Sequence, residues 1–149
     1  MKTSKVSLRG ITKETFKEIL SLKVSPSQEK FVASNAASLA EAHFHPDTAW
    51  YRAVYADGVP AGFVMLELKA DKQEYFLWRF MIDARFQGQG VGRRALELVF
   101  EQVKNLPGRA VLETTCVPGE GSPGPFYEKM GFVYTGAKEE GELVMRREL

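Results

Sequence analysis

The sequence predicts an α/β domain in which one mixed sheet, an antiparallel meander followed by a single parallel β-α-β crossover, is covered by helices. Three observations predict it. Residues 49–82 form three strand-like stretches with short links, as a meander requires. Residues 91–104 change to a helical period, with apolar Val91, Ala95, Leu98 and Val99 on one side and Arg93, Glu97, Glu101 and Lys104 on the other. Residues 109–115 then return to a strand pattern, and a helix between two neighbouring strands makes them parallel. With 149 residues, 44% of them hydrophobic and 26% charged, the chain is expected to be a single domain over 1–149 with an ordinary core.

The elements follow in order. Val6 to Ile11 alternates as a short strand, and Thr12 can cap a helix bearing Phe16, Ile19 and Leu20. Ser25-Pro26-Ser27 breaks that helix, and a second is expected from about Gln28 to Ala42, interrupted by polar Ser34, Asn35 and Ser38. Ala49 to Ala56 and Val59 to Lys69 flank Asp57-Gly58, a pair suited to a tight hairpin turn. After a turn near Asp71-Lys72, Tyr75 to Ile82 is apolar on both faces except at Arg79, as in a central strand. Pro107-Gly108 ends the long helix, Pro123 to Met130 reads as a short helix stopped by Gly131, and Phe132–Thr135 with Glu142–Arg147 close a final hairpin.

Between the central strand and the long helix lies Arg85-Phe-Gln87-Gly88-Gln89-Gly90-Val91-Gly92-Arg93-Arg94. Glycine at alternate positions leaves backbone N–H groups unshielded where a helix has about four unpaired donors and the positive end of its dipole. Such a mouth suits an anion, above all a pyrophosphate. The first turn carries Arg93 and Arg94 and no acid, which makes better sense beside a multiply charged ligand than alone. A dinucleotide fingerprint starting at Gly88 fails because it needs glycine where Arg93 stands, and no P-loop string occurs.

Gln87 to Gly92 matches the Q-x-x-G-x-G pattern of the GNAT acetyltransferase superfamily, which follows that family's fourth strand and opens its third helix. Phe126-Tyr127-Glu128-Lys129-Met130-Gly131-Phe132 resembles its C-terminal F-Y-E-K-x-G-F segment, about 40 residues on and in the required order. The resemblance runs from Val6 to Arg147 and implies the family's fold, with a splayed pair of parallel strands.

The resemblance implies acetyl-CoA as cosubstrate and no metal. The amides of Gln87, Gly88, Gln89, Gly90, Val91, Gly92 and Arg93, with Arg94 beside them, would hold the pyrophosphate. Phe80, Met81 and Ile82 would pair with the pantetheine arm between the splayed strands, and Ser122 and Gly124 would add contacts. An amine would attack the thioester directly, without an acyl-enzyme. Tyr127 would be the general acid for the leaving thiolate, since a phenol of pKa about 10 is protonated at neutral pH; alternatively it only packs against the coenzyme. Glu67 and Glu113 are alternative candidates for the base or for holding the amine, and either could instead be a solvated strand residue. Asp83 is a weaker candidate. Where the family often has asparagine, seven residues before the tyrosine, this chain has Glu120 in a loop dense in proline and glycine.

Leu77-Trp78-Arg79-Phe80-Met81-Ile82-Asp83 and the closing Glu142–Leu149 resemble the spermine/spermidine branch, which implies a small-molecule polyamine acceptor met by carboxylates such as Glu41, Glu67, Glu113 and Glu120, with Trp78 lining the channel. A peptide amino terminus, an aminoglycoside or an amino acid remains open as acceptor, and so does a coenzyme-binding sensor without turnover. A net charge of +1 with no basic cluster argues against nucleic-acid or anionic-membrane partners. A single cysteine, no spanning apolar run and no apolar leader core fit the cytoplasm. A homodimer stays open. His43-Phe44-His45 is read as a loop rather than a zinc site, Cys116 as an inert thiol, and Glu139-Glu140-Gly141-Glu142 as a solvated hairpin tip that could attract a cation.

Overall fold

A computed structural model describes residues 4–108 and 111–149. Among the described residues seven strands, β1 (Val6–Arg9), β2 (Ala49–Ala56), β3 (Val59–Lys69), β4 (Glu74–Ile82), β5 (Val111–Cys116), β6 (Val133–Glu139) and β7 (Glu142–Glu148), form one sheet in the order β1-β2-β3-β4-β5-β7-β6. All neighbours are antiparallel except β4 and β5. The helices are α1 (Phe16–Leu20), α2 (Asn35–His43), α3 (Val91–Lys104) and α4 (Gly124–Lys129). The mixed sheet, the meander and the single parallel crossover are as expected. Arg109, expected to begin the crossover strand, lies outside the described residues; β5 runs from Val111.

Two cores sit on opposite faces of the sheet. Val91, Ala95, Leu96, Val99 and Val103 of α3 pack with Val64, Leu66, Tyr75, Leu77, Leu112 and Met145 of the strands. Val91, Ala95 and Val99 are the face read from the sequence, but Leu98 lies outside this cluster and Leu96 and Val103 complete it; α3 occupies the expected bounds. On the other face Ile19, Leu22 and Ala42 cover Ala53, Phe63, Met65 and Met81. No residue of β5, β6 or β7 joins that second cluster among the described residues, so α1 and α2 leave the far half of the sheet bare on their side.

The expected second helix is corrected. Pro26–Phe31 is a 3₁₀ turn, Val32 is extended, and α2 starts only at Asn35. Ser34 is its N-cap, the hydroxyl accepting from the Ala37 amide at 3.1 Å. A serine read as an interruption is therefore a start signal. Asn35 is buried because its Nδ2 donates to the Ile19 carbonyl at 2.8 Å, tying α2 to α1. Helix α1 is also shorter than read: Thr12 supplies its carbonyl to the Phe16 amide, but Thr15 is the cap residue and makes no side-chain capping bond. Asp57 and Gly58 take φ of 51° and 80°, the left-handed pair expected of the β2–β3 hairpin. No described helix is long and apolar enough to cross a membrane.

Candidate active site

Among the described residues the parallel strands β4 and β5 pair at two positions, Tyr75 with Leu112 and Phe76 with Glu113. Beyond them the strands part, and the Thr114 hydroxyl donates across the gap to the Leu77 carbonyl at 3.0 Å. The parting coincides with a bulge. Leu77 lies opposite Leu66 and Arg79 opposite Met65, so Trp78 is an extra residue in β4. Successive strand residues ordinarily face opposite sides. Here Trp78 and Arg79 both face α2, whereas Leu77 and Phe80 face α3. A bulge bends its strand and breaks its ladder, and the gap beyond is a cleft of about 1370 Å³.

One end of the cleft is the glycine turn. Gly88 and Gly90 take φ of 74° and 83°, and a Cβ at either would meet nothing within 4 Å, so the backbone here is open to the cleft. Gly90 caps α3 without a side-chain bond, and the first turn contains no acid. Gly88, Gly90, Gly92 and Arg93 line the cleft with Gln87, as do Phe80, Met81 and Ile82 at the end of β4. The turn is held from behind. The Gln87 amide nitrogen donates to the Ile82 carbonyl at 2.9 Å and to Gln28 Oε1 at 2.8 Å, so this side chain serves the turn's shape. Gln89 likewise bonds back to the Arg85 carbonyl, and the Val91 side chain is buried in the core. Arg94 turns along α3 to Glu97 and Glu101 at 4.0 and 3.8 Å, leaving Arg93 as the helix cation that lines the cleft.

Asp83 anchors the turn to the rest of the fold. Its carboxylate accepts from the Lys23 amide at 3.0 Å and from the amide and Nε of Arg85 at 3.0 and 2.8 Å. Burial works against its charge, but the Arg85 side chain, the two amides and the Arg85 charge outweigh it and hold the carboxyl below the usual range. Its contribution to stability is therefore present above the unfolded value of about 3.9 and lost as pH falls through the lower folded value. Asp83→Asn should cost about 1–3 kcal/mol at neutral pH, and urea melts should show the deficit shrinking at pH 3. An undiminished deficit at pH 3 would assign the loss to packing instead.

The opposite wall is built by β5 and α4. Tyr127, 5% exposed, lines the cleft with Thr114, Cys116, Ser122 and Phe126. Phe126 stacks on Phe80 across the gap with centroids 6.0 Å apart. Burial pushes the Tyr127 phenol well above the ordinary tyrosine value, the nearby Cys116 adds to this, and the Thr114 hydroxyl acts in the opposite direction. The group is thus a neutral hydroxyl across the physiological range. Burial likewise pushes the Cys116 thiol up, partly offset by Tyr134 and Ser122, which suits an inert thiol. Ser122 Oγ accepts from the amide of buried Gly124 at 3.2 Å, shaping the start of α4.

On the side of α2 the cleft is lined by Trp78, Arg79 and Glu41, and by Glu139, Glu140 and Glu142 from the β6–β7 hairpin. Glu41 receives Arg79 Nη2 on both oxygens at 3.2 and 3.0 Å. Glu142 takes the Thr115 hydroxyl at 3.4 Å. Among the described residues Glu139, Glu140 and Glu142 have no cation within ion-pair distance. The sequence predicts a solvated hairpin tip that could attract a cation, without placing it at the cleft. Its signal was the acid run itself, but only the register of β7 on β5, with Leu143 opposite Cys116, brings the tip to the cleft.

The fold does not bring Glu67, Glu113 or Glu120 into the cleft lining. Glu67 pairs with Lys69 at 3.6 Å. Glu113 alternates with buried Leu112 and Thr114 and so points to the bare face of the sheet, where it is exposed. Glu120 is exposed in the loop before α4. His45 meets Trp78 edge-on at 5.2 Å, and no group of three or more metal-ligating side chains converges among the described residues.

A family model described as "Acetyltransferase (GNAT) family" matches residues 12–132. The spermine/spermidine N(1)-acetyltransferase of Bacillus subtilis (strain 168) is 27% identical over 97% of this chain and 99% of its own length. Among solved structures, an acetyltransferase from Thermus thermophilus covers all of both chains with a TM-score of 0.77 and 19% identity. A PaiA N-acetyltransferase from Thermoplasma acidophilum, solved with coenzyme A, has a TM-score of 0.71 and 14% identity over 97% of this chain and 99% of its own. At these identities the two structures bear on the fold.

Proposed function

The chain belongs to the acetyltransferase (GNAT) family and is an acetyl-CoA-dependent N-acetyltransferase, and on that basis we propose that its acceptor is a polyamine such as spermidine or spermine, acetylated by direct attack in a ternary complex. The observation that carries the polyamine reading is the wall of Glu139, Glu140 and Glu142, three carboxylates without ion-pair partners among the described residues, on the cleft. A flexible polycation is the partner such a wall attracts. The likeness to the Bacillus spermine/spermidine enzyme over nearly the full length supports the same reading.

The residues present fit the coenzyme. Uncapped amides at the mouth of α3, with Arg93 beside them, suit a diphosphate, and the open Gly88 and Gly90 leave no side chain in its way. Phe80, Met81 and Ile82, which line the cleft at the end of β4, would hold the pantetheine arm in the gap between β4 and β5. The thioester supplies an activated acetyl group there. An acceptor ammonium has a pKa of about 10.4 and must lose a proton before it can attack. Glu142, with the Thr115 hydroxyl on one oxygen, is our candidate to pass that proton to water. Tyr127 donates its phenolic proton to the departing thiolate, whose conjugate acid has a pKa of about 8.5 judged from cysteine.

The test is release of free thiol from acetyl-CoA with a panel of spermidine, spermine, a peptide amino terminus, an aminoglycoside and an amino acid. The reading predicts release with the polyamines, and release with another class alone would overturn the acceptor. Coenzyme binding without release across the panel would favour a sensor. Neutralising the exposed Glu139 and Glu140 together to glutamine should raise the KM for spermidine by about fivefold, at roughly 0.5 kcal/mol per exposed charge, with kcat and the KM for acetyl-CoA unchanged. The effect should fade in high salt.

A further inference from the structure

Arg79 is the one charged side chain in a strand otherwise apolar along residues 75–82, and the mechanism above makes no use of it. It stands on the bulge itself. Its Nη1 donates to the carbonyl of Trp78, the extra residue, at 3.1 Å, and its Nη2 reaches both oxygens of Glu41 on α2 at 3.2 and 3.0 Å. Its Nε is buried with no hydrogen-bond partner among the described residues. The last paired position of β4 with β5, Phe76 opposite Glu113, comes two residues before the bulge.

We propose that Arg79 is a positioning residue that clasps the β4 bulge to α2 and thereby keeps β4 bent away from β5, holding open the gap that the pantetheine arm enters. One guanidinium binds the main-chain carbonyl of the extra residue and fixes that stretch to α2. The clasp uses the fork geometry that distinguishes arginine from lysine, because two separate acceptors on different elements are met at once. It also means that Glu41 is committed to a protein cation, so its charge is largely neutralised toward the acceptor. This inference rests on the coenzyme arm lying between β4 and β5, and not on which amine is acetylated.

Coenzyme A affinity, measured calorimetrically without acceptor, reads the clasp directly. Arg79→Ala should raise the Kd by about tenfold or more, the scale of losing charged hydrogen bonds. Arg79→Lys should retain the charge and still weaken binding, since an ammonium cannot reproduce the fork. Glu41→Gln, which keeps an oxygen for Nη2, should weaken binding less than either. Added methylguanidinium should restore part of the affinity of Arg79→Ala, a rescue that general loss of stability would not give. If Arg79→Ala fails to fold, Arg79→Lys and its amide exchange over residues 77–80 carry the test, with faster exchange expected. Wild-type affinity in the lysine variant with unchanged exchange, or a rise in acceptor KM alone, would overturn the proposal. Gly90→Val separates the two failures. Loss of coenzyme A there with none at Arg79 sinks only the clasp, whereas no loss in either sinks the reading of the site.

Discussion

Tyr127→Phe should lower kcat by about 10²- to 10³-fold while leaving the Kd for coenzyme A within about twofold, within the range that loss of one general acid gives. The substitution removes a single oxygen. The ring keeps its contacts with Phe126 and Phe132, whose centroids lie 5.8 and 5.5 Å away, so the wall of the cleft survives. What is lost is the proton for a leaving thiolate. Because burial holds the phenol neutral above the ordinary tyrosine range, its ionisation should not depress kcat of the native enzyme as pH rises from about 8 to about 10. An amine acceptor losing its proton over the same interval should raise the rate. Steady-state rates for both proteins across that interval check the two statements together. Unchanged kcat in the phenylalanine variant would remove Tyr127 from the acid role and leave it as a packing residue.

Gly90→Val should raise the Kd for coenzyme A by more than about 100-fold. Gly90 has φ 83° and ψ 0°, a left-handed conformation that a β-branched residue adopts only at a cost of about 1–3 kcal/mol. The side chain would also stand in the open space beside the donors at the mouth of α3. Both effects act on the same few amides. Gly92 is different. A Cβ there would touch Ile82 Cγ1 at 3.4 Å and Phe126 Cζ at 3.6 Å, which are ordinary contacts, and no left-handed φ is needed. Gly92→Ala should therefore fold normally and lose much less affinity. Equal losses at the two positions would show that bulk, not backbone conformation, governs the site.

The parts of the site legible in the sequence are those fixed by local chemistry. The period of residues 91–104 set the bounds of α3, and the glycines before it marked an uncapped mouth because no other residue type leaves main-chain donors so bare. The alternation along β5 also held the answer for Glu113, since a residue between two buried neighbours must point to the other face. The acidic hairpin was not legible in the same way. Glu140 and Gly141 announce a turn through φ of 49° and 83°, but where the tip ends up depends on the antiparallel register of β7 against β5. Ser34 misled because a helix interruption and a helix start use the same residue type, and only the hydroxyl's bond to the Ala37 amide distinguishes them. The bulge at Trp78 and Arg79 had no sequence sign beyond a lone arginine in an apolar strand, since a bulge is a property of two strands and not of one.

Coenzyme binding depends above all on the main-chain donors that begin α3. Backbone amide resonances of Gly88, Gly90, Gly92 and Arg93, followed by NMR during titration with coenzyme A, report on those donors one by one. We expect these amides to move downfield together, saturating with the binding isotherm, and to move far less with pantetheine, which lacks the diphosphate. Resonances that stay in place while others report binding would contradict the assignment of the anion to this helix mouth.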